Sequence, residues 1–94
     1  MSYLGPQTPV LANVAGTNSS VTLFGGTARA NGRMVFNDSS AILYVAYGTV
    51  ATLGGPFTTA VGTQTTFTFP EPVYAGQVCG VWASIAGSAR TTYW

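Results

Sequence analysis

The chain has 94 residues, and only Arg29, Arg33, Arg90, Asp38 and Glu71 are charged. With no lysine and no histidine, it lacks both the basic stripe that displaces counterions from nucleic acid and the imidazole on which many acid–base and metal sites are built. A hydrophobic fraction of 47% at net charge +1 excludes a disordered chain, and the length allows one domain.

Residues 1–18 carry Gly5, Pro6, Pro9 and Gly16 among scattered Tyr3, Leu4, Val10 and Leu11. Neither a helical nor a strand period runs through them. An apolar stretch with no pairing of its own is either disordered, as chain termini often are, or docked on something, and the segment is expected to be an extended arm lying on a neighbouring subunit. Residues 1–20 lack the basic start of a secretory signal. The longest apolar run, residues 41–47, is of strand length and far short of the ~20 residues of a membrane span.

From residue 19 the pattern is β. Val21 and Leu23 alternate with Thr22, and Met34 and Phe36 with Arg33, Val35 and Asn37. The run 41–47 is apolar on both faces, as in a central strand covered on each side. Residues 57–61 are Thr-rich and weaker. Residues 66–69 are strictly period two and end at Pro70-Glu71-Pro72. In 77–84 one face holds Val78, Gly80 and Trp82 and the other Cys79, Val81 and Ala83, while 89–93 form a polar strand with aromatic ends. Gly25-Gly26, Asn31-Gly32, Asn37–Ser40, Gly54-Gly55-Pro56, Ala75-Gly76 and Gly87-Ser88 supply turns between them. Twelve glycines and fourteen threonines disfavour helix. The expectation is all-β: a small antiparallel β-sandwich or barrel of about seven short strands over residues 19–94, with the 1–18 arm outside it. Its predicted core is Val21, Leu23, Met34, Phe36, Ile42, Tyr44, Val45, Phe67, Phe69, Val78, Val81 and Trp82.

Constellations for catalysis are missing. Asp38 and Glu71 are the only carboxylates and belong to separate turns, so a general acid–base pair is not expected. Serine nucleophiles have no histidine base. Cys79, the one cysteine, sits among Val78, Val81 and Trp82 and is expected to be a small buried hydrophobe. No enzyme activity, cofactor or metal is expected.

The surface is the informative part. A soluble small domain usually carries about 25–35% charged residues on its surface; here the whole chain has 5%. A skin of Thr, Ser, Asn, Gln and Gly repels its neighbours weakly and suits a protein that lies against other protein. Tyr93-Trp94 adds two large aromatics at the chain end, costly to leave in water, so Tyr3, Leu4, Val10, Leu11, Tyr93 and Trp94 are the expected partner-binding residues. An alternative use of Tyr47, Tyr74, Tyr93 and Trp94 is a sugar-stacking platform, which would make the chain a carbohydrate-binding module. Within the fold, Trp82 is expected to fill the core, and Arg90 to pair with Asp38, tying the last strand to the Asn37–Ser40 turn.

The blocks Asn37-Asp38-Ser39-Ser40-Ala41-Ile42-Leu43-Tyr44-Val45, Tyr74-Ala75-Gly76, Gly80-Val81-Trp82-Ala83-Ser84 and Gly87-Ser88-Ala89-Arg90, in this order, resemble a family of small β-domains encoded among the virion genes of tailed phages. The likeness covers about residues 19–93. It departs at Ala46-Tyr47, where relatives often have a charge, and at Trp94, beyond which many continue. The resemblance implies a structural virion part, such as a capsid decoration (cement) protein, a head fibre or an appended domain of a tail protein; the expectation drawn from it is a decoration protein that binds the major capsid protein lattice on the shell surface as a trimer or dimer, assembled in the host cytoplasm. A tail, baseplate or head–tail connector component is the alternative it leaves open. It implies no active site to transfer, and the charge count and the short apolar runs give no expectation of a nucleic-acid or membrane partner.

Overall fold

The computed structural model of the chain describes residues 9–26 and 30–94. Eight strands and no helix are found among them. They are β1 (Val10–Ala15), β2 (Val21–Phe24), β3 (Arg33–Asp38), β4 (Leu43–Tyr47), β5 (Thr59–Val61), β6 (Thr66–Thr68), β7 (Val78–Trp82) and β8 (Ser88–Tyr93). Two four-stranded antiparallel sheets form, ordered β1-β8-β3-β6 and β2-β7-β4-β5. The chain passes from one sheet to the other at almost every connection, and β4–β5 alone stays within a sheet. The fold is the expected β-sandwich.

Its core fills the space between the sheets. Val78, Trp82, Leu43, Val45 and Val61 come from one inner face, Val35 and Ala89 from the other, with Leu23, Phe24 and Phe69 closing the space. In β2 the register shifts between Thr22 and Phe24, and this bulge turns both Leu23 and Phe24 inward. Gly80 lies where two core leucines close in: a Cβ there would stand 2.8 Å from Leu23 Cδ1 and 2.9 Å from Leu43 Cδ1.

Three expectations need correction. Val10–Ala15 is not outside the domain but is the edge strand β1, paired with β8 at six successive positions from Val10↔Tyr93 to Ala15↔Ser88. Backbone pairing needs no side-chain period, so the residue pattern concealed it. The domain therefore includes at least residues 10–15, and residues 1–8, Tyr3 and Leu4 included, lie outside the described residues.

Second, β3 faces the opposite way from its hydrophobic alternation. Arg33, Val35 and Asn37 are buried, whereas Met34 and Phe36 are half-exposed on the outer face. Third, Ile42 is 41% exposed and not core. It precedes β4 on the outward parity, while Leu43 and Val45 point in.

Two buried polar side chains explain the inverted parity of β3. At one end, Asn37 Nδ2 donates to the carbonyls of Ala41 (2.8 Å), Val61 (3.0 Å) and Gly62 (3.2 Å). Its Oδ1 accepts from Ser39 Oγ (2.7 Å) and Trp82 Nε1 (3.1 Å). One amide thus joins the β3–β4 and β5–β6 crossings to the central tryptophan. At the other end, Arg33 Nη1 donates to Tyr74 O (2.9 Å) and Gly76 O (2.7 Å), and Nη2 to Ala75 O (3.2 Å), pinning the β6–β7 crossing. The guanidinium carbon also stands 5.2 Å from the Phe24 ring centroid. Buried polar groups persist when their hydrogen bonds are made, and no buried side-chain polar atom among the described residues lacks a partner. Five hydrogen-bonded groups around Asn37 and a chelated guanidinium outweigh burial of Met34 and Phe36.

Candidate interaction surface

Residues 48–58, linking β4 to β5, form a strap across the outer face of the second sheet. Gly48 N donates to Gln77 O (2.8 Å), holding the strap to the start of β7. Ala51 N donates to Ser20 Oγ (2.9 Å) just before β2, at the opposite edge of that sheet. The chain then turns through Gly54 (φ +75°) and Gly55, and Phe57 comes to rest on Tyr44, ring centroids 5.0 Å apart. Beneath the strap a second small core forms from Ala46, Ala51, Cys79 and Val81, with Tyr44 at its margin. Cys79 is buried there, as expected, with Gln77 Nε2 3.6 Å from its sulfur.

The strap buries its small residue and displays its large ones. Ala51 is 3% exposed, but Val50 is 63%, Leu53 40% and Phe57 49% exposed. Ile42 adds to the apolar surface on the same outer face. Exposed apolar residues scattered singly are ordinary, whereas several gathered on one face mark a contact surface.

The outer face of the first sheet is different. A polar row runs across it from β1 to the β5–β6 turn. Arg90 Nε and Nη2 lie 3.0 and 2.8 Å from Asp38 Oδ2. Gln64 Nε2 donates to Asp38 Oδ1 (3.1 Å), and Arg90 Nη1 reaches Asn13 Oδ1 at 3.4 Å. The hydrogen bonds from Gln64 and Arg90 hold the Asp38 carboxyl below its usual range. The expected Asp38–Arg90 tie is therefore made, on the surface, where such pairs contribute little. Beside it, between β1 and β8, is a shallow hollow of about 330 Å³ lined by Leu11, Ala12, Asn13, Arg90, Thr91 and Thr92.

The aromatic residues mostly pack on one another. Tyr47 stacks on Tyr74 (4.5 Å, 4° between planes) and on Phe69 (5.4 Å, 21°), and burial pushes the Tyr47 phenol up, against the opposing effect of Arg33. Burial also lowers the Arg33 guanidinium from its usual value, with Tyr74, Tyr47 and Tyr93 opposing.

Of the residues expected to bind a partner, Val10 (38%) and Leu11 (74%) are exposed on β1. Tyr93 and Trp94 are half-buried within the chain's own fold. Tyr93 packs edge-on to Phe24 at 6.2 Å. The Trp94 indole lies over Gly32, whose position has no room for a Cβ, and the two backbones exchange hydrogen bonds. Part of each aromatic surface is thus covered within the chain itself, and part remains exposed. Trp82 is fully buried, as expected. Val50, Leu53 and Phe57 were missed. The signal was present as large apolar residues inside a Gly-rich turn segment, where turn chemistry calls for polar ones.

No group of three or more His, Cys, Asp or Glu residues lies together among the described residues. Compared with protein-family models, with curated proteins and with solved structures, the chain matches none of them.

Proposed function

We propose that this chain is a structural component of a tailed-phage virion, a capsid decoration protein that lies on the major capsid protein lattice and stabilises the shell. The observation that carries the reading is the strap: Val50, Leu53 and Phe57 are each exposed on the one connection 48–58 of a chain with only five charged residues. Burying each of these side chains against a shell is worth about 1.5–3 kcal/mol before the costs of association. The weak charge removes long-range repulsion between copies crowded on one lattice. The resemblance of residues 19–93 to virion β-domains supports the same destination.

The test is sedimentation of the protein with purified shells that lack it. Wild type pellets with the shells, and Leu53→Asp with Phe57→Asp leaves it in the supernatant while its thermal transition stays put. Unimpaired binding by this double variant refutes the strap as the contact. A stained gel of virions then separates this reading from a tail or connector part: a decoration protein scales with the copy number of the capsid protein itself.

A further inference from the structure

Among the described residues four strand edges are open in the two sheets: β1 and β6 in one, β2 and β5 in the other. Open edges invite pairing with other strands, and proteins blunt them with short length, bulges, charge or proline. β5 and β6 have three residues each, and β2 carries a bulge. β1 has none of these devices: it is six residues long, unbroken in register and reads VLANVA, without charge.

The direction of its backbone groups follows from two hydrogen bonds. Gly16 N donates to Gly87 O (2.9 Å), one step beyond Ala15↔Ser88. Gly32 and Trp94 exchange bonds on the other side of β8, which turns Trp94, Thr92 and Arg90 toward β3, and Tyr93, Thr91 and Ala89 toward β1. Hydrogen-bonded and non-hydrogen-bonded pairs alternate in an antiparallel ladder. Val10, Ala12 and Val14 therefore spend their N–H and C=O groups on β8, while Leu11, Asn13 and Ala15 direct theirs outward to the open edge.

We infer that β1 is a self-pairing edge, which joins two copies of this chain in antiparallel register centred on Asn13. In that register Asn13 opposes Asn13 of the second copy, and Leu11 opposes Ala15, so all three outward residues on each strand find hydrogen-bonded partners. The pairs are sterically matched on both faces. The 74%-exposed Leu11 side chain meets a methyl group, amide meets amide at the centre, and Ala12 meets Val14 on the other face. No charge on either strand opposes the approach. The two β1-β8-β3-β6 sheets become one eight-stranded sheet. This pairing goes beyond the capsid reading and is independent of it, since it requires the protein alone.

Sedimentation velocity of the full chain at high micromolar concentration is expected to show a dimer. Asn13→Pro removes an N–H that faces outward and spares the β8 ladder, so it should weaken dimerisation at least about tenfold while thermal melting shows a folded protein. Register is read by cysteine cross-linking under mild oxidation, with Cys79 buried and silent. Hydrogen-bonded antiparallel pairs hold Cα atoms about 5.5 Å apart, within disulfide reach. Asn13→Cys should cross-link into a covalent dimer, and Leu11→Cys, four residues out of register with its own copy, should not. A wild-type monomer at high concentration, a dimer untouched by Asn13→Pro, or equal cross-linking of the two cysteine variants overturns the inference.

Discussion

Replacing Asn37 with alanine tests the account of β3 most directly. The substitution removes an amide with no exposed surface and strands the groups it served. Ser39 Oγ can still donate to Ala41 O at 2.8 Å, so that carbonyl keeps a partner. Trp82 Nε1 loses its acceptor, and the Val61 and Gly62 carbonyls lose their side-chain donor. A buried donor left unpaired costs about 1–3 kcal/mol, and the weakened carbonyls add roughly 1 more. The expected loss is about 3 kcal/mol, a large share of the roughly 5–15 kcal/mol of a typical domain. For a domain of this size that lowers Tm by roughly 12–24 °C. Urea unfolding followed by tryptophan emission measures it, because Trp82 passes from full burial to water. A second substitution locates the cost: in Asn37→Ala with Trp82→Phe, no indole N–H remains to be orphaned. The two changes should then be non-additive, with coupling of about 1 kcal/mol or more. A loss below about 0.5 kcal/mol for Asn37→Ala, or additivity in the double variant, refutes the claim that this amide fixes the facing of β3.

Arg33→Met removes the guanidinium that holds Tyr74, Ala75 and Gly76; stability should fall by about 2 kcal/mol or more, and limited proteolysis should open first within residues 70–77. Gly80→Ala presses a methyl on Leu23 and Leu43 and should cost about 1–2 kcal/mol in urea melts, with valine worse. Asp38 has a depressed folded pKa, so the folded state holds its proton less tightly than the unfolded one. The stabilisation this carboxylate provides is present above its unfolded pKa of about 3.9 and fades as pH falls through the lower folded value. Asp38→Asn, which stands in for the protonated acid at every pH, should therefore lower the neutral plateau slightly and flatten the acid limb of a Tm-against-pH curve, the variant and wild-type curves converging below about pH 4.

Where strand alternation was regular and its sense unopposed, the sequence carried the fold. In β7 the inward set Val78, Gly80, Trp82 and the outward set Cys79, Val81 lie as the residues imply, and β4 is covered on both faces, by the core and by the strap. β3 misled because period two reveals that faces alternate but not which face is inner. Hydrophobicity selected Met34 and Phe36; hydrogen-bond demand placed Asn37 and Arg33 inside instead. β1 was illegible for a different reason, since its pairing with β8 is made by backbone atoms and five of its six side chains are exposed. The chain-end aromatics also have partners that residue type alone did not reveal, Trp94 lying over Gly32 and Tyr93 beside Phe24.

The two proposals make a joint prediction. An antiparallel pair in register at Asn13 has its two-fold axis perpendicular to the sheet, since paired residues keep their side chains on one face. Both copies of the second sheet then lie on the same side of the extended eight-stranded layer. Each strap crosses the outer face of that second sheet, so the two straps lie on one side of the dimer. A dimer so built touches a flat lattice at two places at once, and the second contact forms at high effective concentration. Asn13→Pro leaves each strap intact yet makes attachment single. Its dissociation from shells, followed by surface-based kinetics at fixed shell density, should be about 10²-fold faster or more, while the association rate changes little. Leu53→Asp weakens both contacts and should slow capture as well as hasten release. If Asn13→Pro leaves shells no faster than wild type, each strap acts singly, and pairing through β1 has no part in attachment.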